Sequence, residues 1–355
     1  MKAYARGFRR KSFLMIAATA ATASFGALSN TACAQSSVKI GGAMDMGVGM
    51  YDIGGKKAYG VTNGAIAASS LKFSGNDDLG GGYSSQFLVR SLFNSGTGAL
   101  VSGLLFASEA KVGLTAPAGN LQVGRLFSLN DTFFLWNSPS SSNYAGAWNM
   151  ALSGYAAYWN NALRYTSPDW NGFTAIIEHS RGIVDNEVAG SLNGVGTEYG
   201  LNYERGPLQL RSVLEKTYAQ VGTATNYRAD RLSLGGIYDF GVLKAHLAYY
   251  NEAYSGSGQP APFDIKFAGV TVPFNSVWKA TAEYGYKHYT NATSHVEFTG
   301  LGLYYSMSKN VTLFSQAVFV QNHGPLASYT IYHSPVSPAA GMNTSGITFE
   351  MRYTF

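Results

Sequence analysis

Four cations stand where an alternating strand would set them on its polar side. Lys72 is flanked by Leu71 and Phe73, Lys111 by Ala110 and Val112, and Arg164 by Leu163 and Tyr165; Arg90 takes the same parity in its own segment. In a period-two pattern, a charge between two apolar residues points away from both. Glu109 is within reach of either Lys111 or Arg90. Such a set breaks no covalent bond. It shapes the potential along the surface it lines, and so it sorts ions.

Bond-making chemistry is harder to find. The sequence has no G-x-S-x-G, no P-loop and no G-x-G-x-x-G opening a helix. Its six histidines, His179, His246, His288, His295, His323 and His333, show no metal-type spacing such as H-x-x-x-H. We expect no metal and no cofactor. The best hydrolytic pairings are His179 with Asp185 and His246 with Glu252, which keeps a rim-sited barrel hydrolase as a competing class.

Residues 1–34 read as a secretory signal. Lys2, Arg6, Arg9, Arg10 and Lys11 form a basic start, Phe13 to Leu28 an apolar stretch, and Ala32-Cys33-Ala34 a small-residue cleavage site. Asn30 stands where a lipoprotein signal wants a Leu-like residue, which disfavours Cys33 as a lipidated terminus. The chain holds 25 Lys+Arg and 20 Asp+Glu. Five of the basic residues and none of the acidic ones lie in the signal, so the exported part, 35–355, is neutral overall. Its composition gives no reason to expect nucleic acid. Cys33, the only cysteine, leaves with the signal and takes disulfide and thiol chemistry with it.

The chain is rich in Gly (42), Tyr (24) and Phe (20) and carries few charges. After residue 34 no run reaches the ~18 apolar residues of a membrane helix. Period two recurs instead, without a linker, so 35–355 reads as a single domain. In Ile347–Phe355, the residues Ile347, Phe349, Met351, Tyr353 and Phe355 share one face and Thr348, Glu350, Arg352 and Thr354 the other. Alone, that strand also fits the edge of a soluble sandwich. In 208–214, Leu208, Leu210 and Leu214 oppose Gln209 and Arg211; in 278–286, Trp278, Tyr284 and Tyr286 oppose Lys279 and Glu283; in 243–249, Leu247 and Tyr249 oppose Lys244 and His246. A dry core rejects unpaired charges of both signs, whereas a wet lumen accepts them.

Sixteen such segments alternate between seven tight turns and eight longer connections. Short turns on one rim and long loops on the other imply an all-β fold, a transmembrane antiparallel β-barrel of about sixteen strands with both ends on the short-turn side. Tyr165, Trp170, Tyr203, Tyr238, Phe240, Tyr305, Phe314 and Phe355, near segment ends, suit interfacial girdles.

Four stretches carry a resemblance to the trimeric general porins of Gram-negative outer membranes. Residues 37–47, Ser-Val-Lys-Ile-Gly-Gly-Ala-Met-Asp-Met-Gly, look like the family's first strand, Tyr-Gly-x-x-Asp-x-Gly, with Gly41 in place of the Tyr. Residues 70–82, Ser-Leu-Lys-Phe-Ser-Gly-Asn-Asp-Asp-Leu-Gly-Gly-Gly, are similar to its second strand and first periplasmic turn. Leu121-Gln122-Val123-Gly124-Arg125 looks like the Gly-Arg before the inward-folded third loop. Tyr305-Ser306-Met307-Ser308-Lys309-Asn310 resembles the Tyr-x-Leu-Ser-Lys-Arg turn, and Phe355 matches the terminal Phe. The resemblance implies a homotrimer among outer-membrane lipid and lipopolysaccharide, passing small hydrophilic solutes and ions by diffusion.

It also implies a constriction. The longest connection, Leu126 to Asn161, is the expected third loop, folded into the barrel. It departs from the family's acidic pattern, since Asp131 is its one charged residue. Arg125 shares parity with Leu121 and Val123, so its inward direction rests on the resemblance and on a bend at Gly124. Opposite the loop, Lys72, Arg90, Lys111 and Arg164 would form a basic wall with Glu109, giving weak anion preference. If these side chains instead pair with one another, they only shape the lumen. The loop is rich in rings, Phe133, Trp136 and Trp148 among them. Either the rings pin the loop to the wall, or some line the pore and favour sugar-like or aromatic solutes. A passive structural barrel or a surface adhesin is the third class; its outer loops should be longer than those here, apart from the third.

Overall fold

The computed structural model describes residues 37–151, 155–183, 192–221, 225–331 and 337–355. The expected signal (1–34), Cys33, Asp185 and His333 lie outside them. The described strands are β1 (Ser37–Ile53), β2 (Lys56–Asn63), β3 (Ser69–Gly80), β4 (Tyr83–Phe93), β5 (Glu109–Ala116), β6 (Gly119–Phe127), β7 (Tyr158–Thr166), β8 (Phe173–Ser180), β9 (Gly196–Arg205), β10 (Leu208–Val221), β11 (Thr225–Asp239), β12 (Lys244–Gly256), β13 (Phe263–Pro273), β14 (Trp278–Tyr289), β15 (His295–Ser306), β16 (Val311–His323) and β17 (Thr344–Thr354). A single helix, α1 (Leu129–Asn137), and short 3-10 turns at Val101–Gly103 and Ala147–Ala151 complete the described elements.

All strands belong to one antiparallel sheet in which β1 pairs with β17, so the sheet closes on itself. Closure leaves no edge, the condition for a strand structure to cross lipid. β2 and β3 lie end to end along β1: β2 pairs with Met46–Ile53 and β3 with Ser37–Ala43. The wall therefore has 16 staves, the second of them broken at 64–68. Sequence pattern places 51–66 in a connection, because the break divides one stave into pieces too short for a clear period. Pattern also ends the second segment at Ser74. The strand instead runs on, pairing Asn76, Asp77 and Asp78 with Gln86, Ser85 and Ser84, so the turn itself is only Gly81-Gly82.

The alternation resolves into two faces. Val38, Ile40, Leu210, Leu214, Leu247, Phe349, Met351 and Tyr353 are exposed on the outside. Tyr165, Trp170, Tyr238, Phe240 and Phe355 are exposed near the short-turn rim, and Trp278 lies tilted against Tyr305, ring centres 4.7 Å apart. Phe314 breaks from this set: it is buried on the inner face against Tyr304, because its parity in β16 is that of Gln316 and Val318. Being near a strand end does not by itself decide a ring's side.

The interior is not uniformly wet. Phe133, Phe134, Tyr144, Met150 and Tyr155 of the long connection pack on Val213, Tyr250, Ile265, Phe267, Phe298 and Val318 of the wall. The apolar core is thus eccentric, pressed against β10–β16. Small wall residues make room for it. A Cβ on Gly300 would lie 2.2 Å from the Ala145 carbonyl, and one on Gly269 2.4 Å from Pro139.

Candidate pore constriction

The inward loop begins with a helix start written locally. Ser128 caps α1, its Oγ accepting the Asp131 amide at 3.0 Å. The free amides of Leu129 and Asn130 donate to the Glu198 carboxylate on β9 at 2.7 and 3.1 Å, so a wall carboxylate meets the positive end of the helix. After Ser138-Pro139 ends the helix, the loop runs along the inner wall and takes a partner on nearly every stave. The Asn130 amide reaches Glu215, and His246 Nδ1 donates to the Asn137 carbonyl at 2.7 Å. Ser138 and Ser140 donate to Glu283, the latter at 2.6 Å, and Lys287 Nζ donates to the Met150 carbonyl at 2.9 Å. Midway along, the loop reaches the broken stave, where the Asn143 and Tyr144 amides donate to the carbonyls of Ile66 and Ala65.

This route decides which charges face water. Glu178, Glu198, Glu215, Glu252, Glu283 and Glu350 all sit on the lumen side, yet all are buried. Arg231 bridges Glu215 and Glu252, and Tyr250 and Tyr254 donate to Glu252. The loop covers most of the acidic wall. Across from it, an open space of about 490 Å³ is bounded by Lys72, Arg90 and Arg352 on the wall and by Phe127, Asp131, Leu135 and Tyr158 on the loop side.

The expected wall residues distribute as follows. Lys72 and Arg90 are directly paired across β3 and β4, and Lys72 has no ion pair among the described residues. Glu109 takes both partners, with Lys111 Nζ at 2.6 Å and Arg90 at 3.3 Å. Arg125 is turned by Gly124, whose φ of 135° and shifted register with β7 form a bulge. A Cβ on Gly124 would collide with the Ala110 carbonyl at 2.1 Å. The guanidinium then lies 5.0 Å from the Tyr158 ring centre and donates to the Ala107 carbonyl and to Asn160. Arg164 is tied to Glu178 and to the Phe127 carbonyl, at the root of the loop.

Asp131 is 3% exposed. Burial lifts its carboxyl to about 7, and a hydrogen bond from the Tyr155 hydroxyl at 3.3 Å holds it partway down. Phe133 is buried in the core beside Phe134. Trp136 donates to Gln209 at 2.9 Å and lies under Arg211 at 4.4 Å, away from the open space. Trp148 belongs to the 3-10 turn, and its side chain lies outside the described residues. His246 and Glu252 are six positions apart on one strand, about 20 Å, and each serves a different contact, so they form no hydrolytic pair. His179 Nδ1 lies 2.9 Å from Thr197 Oγ1.

Arg352 is a lining cation that the sequence reading does not single out. It stands between Met351 and Tyr353, the same signal that marks Lys72, and it meets Asp45 at 3.2 Å. The covered glutamates obey the same parity rule, but nothing along the chain distinguishes a covered carboxylate from an open one.

Comparison with known proteins agrees with this architecture. A family model described as Gram-negative porin matches residues 17–325. Outer membrane porin protein 32 of Delftia acidovorans is 26% identical over 98% of this chain and 100% of its own length. A Bordetella pertussis outer membrane porin is 27% identical over 71% of this chain and 75% of its own. Among solved structures, an anion-selective porin from Comamonas acidovorans superposes with a TM-score of 0.79 at 22% identity, covering 90% of this chain and 100% of that one. The trimer form of OmpT from Vibrio cholerae gives 0.69 at 14% identity, covering 90% and 99%. The protein is an outer-membrane channel and belongs to the Gram-negative porin family.

Proposed function

We propose that this porin passes small hydrophilic solutes and ions by diffusion with a weak preference for anions, through a constriction between the loop 126–161 and a wall of Lys72, Arg90, Lys111 and Arg352. The observation that carries this reading is the one-sided cover. The loop lies over Glu198, Glu215, Glu252 and Glu283 and leaves the cations of β3, β4 and β17 facing the open space. Burial raises the carboxyl of Asp131, the one carboxylate on the loop side, to about 7, so its negative charge is only partly present at neutral pH. An excess of positive charge at a narrow point lowers the barrier for anions. The anion-selective relative is in keeping with this preference, and the trimeric neighbour with a homotrimer; the lipid and lipopolysaccharide around it are part of the proposal. Residues 1–34 are the export signal on this reading, and 35–355 the single barrel domain. The test is a bilayer recording under a KCl gradient. A reversal potential favouring chloride supports the proposal; one favouring potassium overturns it.

A further inference from the structure

The barrel carries a second cluster of chemistry, remote from the constriction. Register places Asp264, His288, His295 and His323 in one lateral row across β13 to β16, each the direct neighbour of the next. The row lies beside the long loops, one turn from residues 290–294 and 324 onward. It faces outward: Val296, Phe298, Val320 and Asn322, of opposite parity on the same strands, are buried inside. Glu297 stands two residues along from His295 on the same face. The imidazoles of His295 and His323 are 4.3 Å apart, centre to centre. His295 Nε2 is 3.8 Å from Glu297 Oε1, and one donor atom from each of His295, Glu297 and His323 can be chosen within 4.8 Å of the others.

We propose that His295, His323 and Glu297 form a surface site for a divalent transition metal of the zinc class. Two imidazoles and a carboxylate are the donor set such ions favour, with a fourth position for water. Donors on a tetrahedral zinc stand about 3.3 Å apart, given bond lengths near 2.0–2.1 Å. The observed spacing closes to that by side-chain rotation alone, since adjacent strands already hold the two His Cβ atoms about 5 Å apart. The surroundings orient the set. The Tyr284 hydroxyl donates to Glu297 Oε2 at 3.1 Å, leaving Oε1 toward His295. On the far side of the row, His288 Nδ1 lies 3.4 Å from Asp264. Outer-sphere partners of this kind fix ligand direction in metal sites.

The test is calorimetric titration of Zn²⁺ into the folded barrel in detergent at pH 7.5. Wild type binds one ion per protomer. The pair His295→Ala with His323→Ala abolishes that binding, and Glu297→Gln weakens it by about tenfold or more, the least that even outer-sphere losses cost. A His179→Ala barrel keeps the site. Folding of each variant is read from the mobility difference between heated and unheated samples, and Glu297→Gln alone decides if the double variant does not fold. No Zn²⁺ binding by wild type, or binding unchanged in the variants, overturns the proposal.

Discussion

Arg352 Nη1 lies 3.2 Å from Asp45 Oδ2, joining the last strand to the first. The same Asp45 oxygen accepts the amides of Ile66 and Ala67 at 3.1 and 3.3 Å, so one carboxylate secures both the seam and the broken stave. Removing one partner of a buried pair leaves its charge uncompensated and costs about 3 kcal/mol or more. Arg352→Ala should therefore lower the temperature at which the folded band is lost in gel electrophoresis. It should also reduce anion preference by exposing Asp45. Unchanged heat resistance would count against the seam.

The wall cations act on permeant ions through water. At about 8 Å, one unit charge is worth roughly 0.5 kcal/mol there, or about twofold in a permeability ratio. Lys72→Gln should cut the chloride-to-potassium ratio by about that factor. Arg90→Gln should do less, because Glu109 keeps Lys111 as its partner. Bilayer reversal potentials at low salt, where screening is weakest, measure both.

Asp131 gives the channel a pH dependence. Its carboxyl titrates near 7 when folded, well above the usual carboxylate range. Between about pH 4 and 7 the folded form binds the extra proton, so this group's contribution to stability falls as pH rises through that window and levels off above it. Protonation also removes the loop's one negative charge. Anion preference should thus be greater at pH 5.5 than at 8.5, and Asp131→Asn should flatten that difference. A variant with the wild-type pH profile would place the titration elsewhere.

Glu198 holds the start of α1 through two backbone amides. Losing a capping partner costs about 1–2 kcal/mol, enough to loosen the loop without unfolding the wall. Glu198→Ala should raise open-channel noise and mean conductance in single-channel records while leaving the barrel's circular dichroism unchanged.

Much of the wall was legible in the sequence, because each strand writes its own two faces. Leu210 and Leu247 read as outside, Glu283 and His246 as inside, and they are so. Relations between staves were not legible. Alternation gives the side of a residue and not its neighbour around the barrel, so the row of His288, His295 and His323, separated by seven and 28 positions, emerges only with register. The covering of Glu198, Glu215 and Glu283 depends on where a distant loop lies. β2 shows no clear period along the chain because residues 64–68 cut its stave, and Phe314 lies inside because parity, not closeness to a strand end, sets the side of a ring.

The middle of the loop is moored on the broken stave by peptide groups: the Asn143 and Tyr144 amides reach the carbonyls of Ile66 and Ala65. Bonds between main chains do not depend on which side chains flank them. The residues that present themselves to a passing solute can be exchanged while this mooring stays in place. The filter is therefore open to redesign, by mutation or by drift, without rebuilding the vessel that carries it.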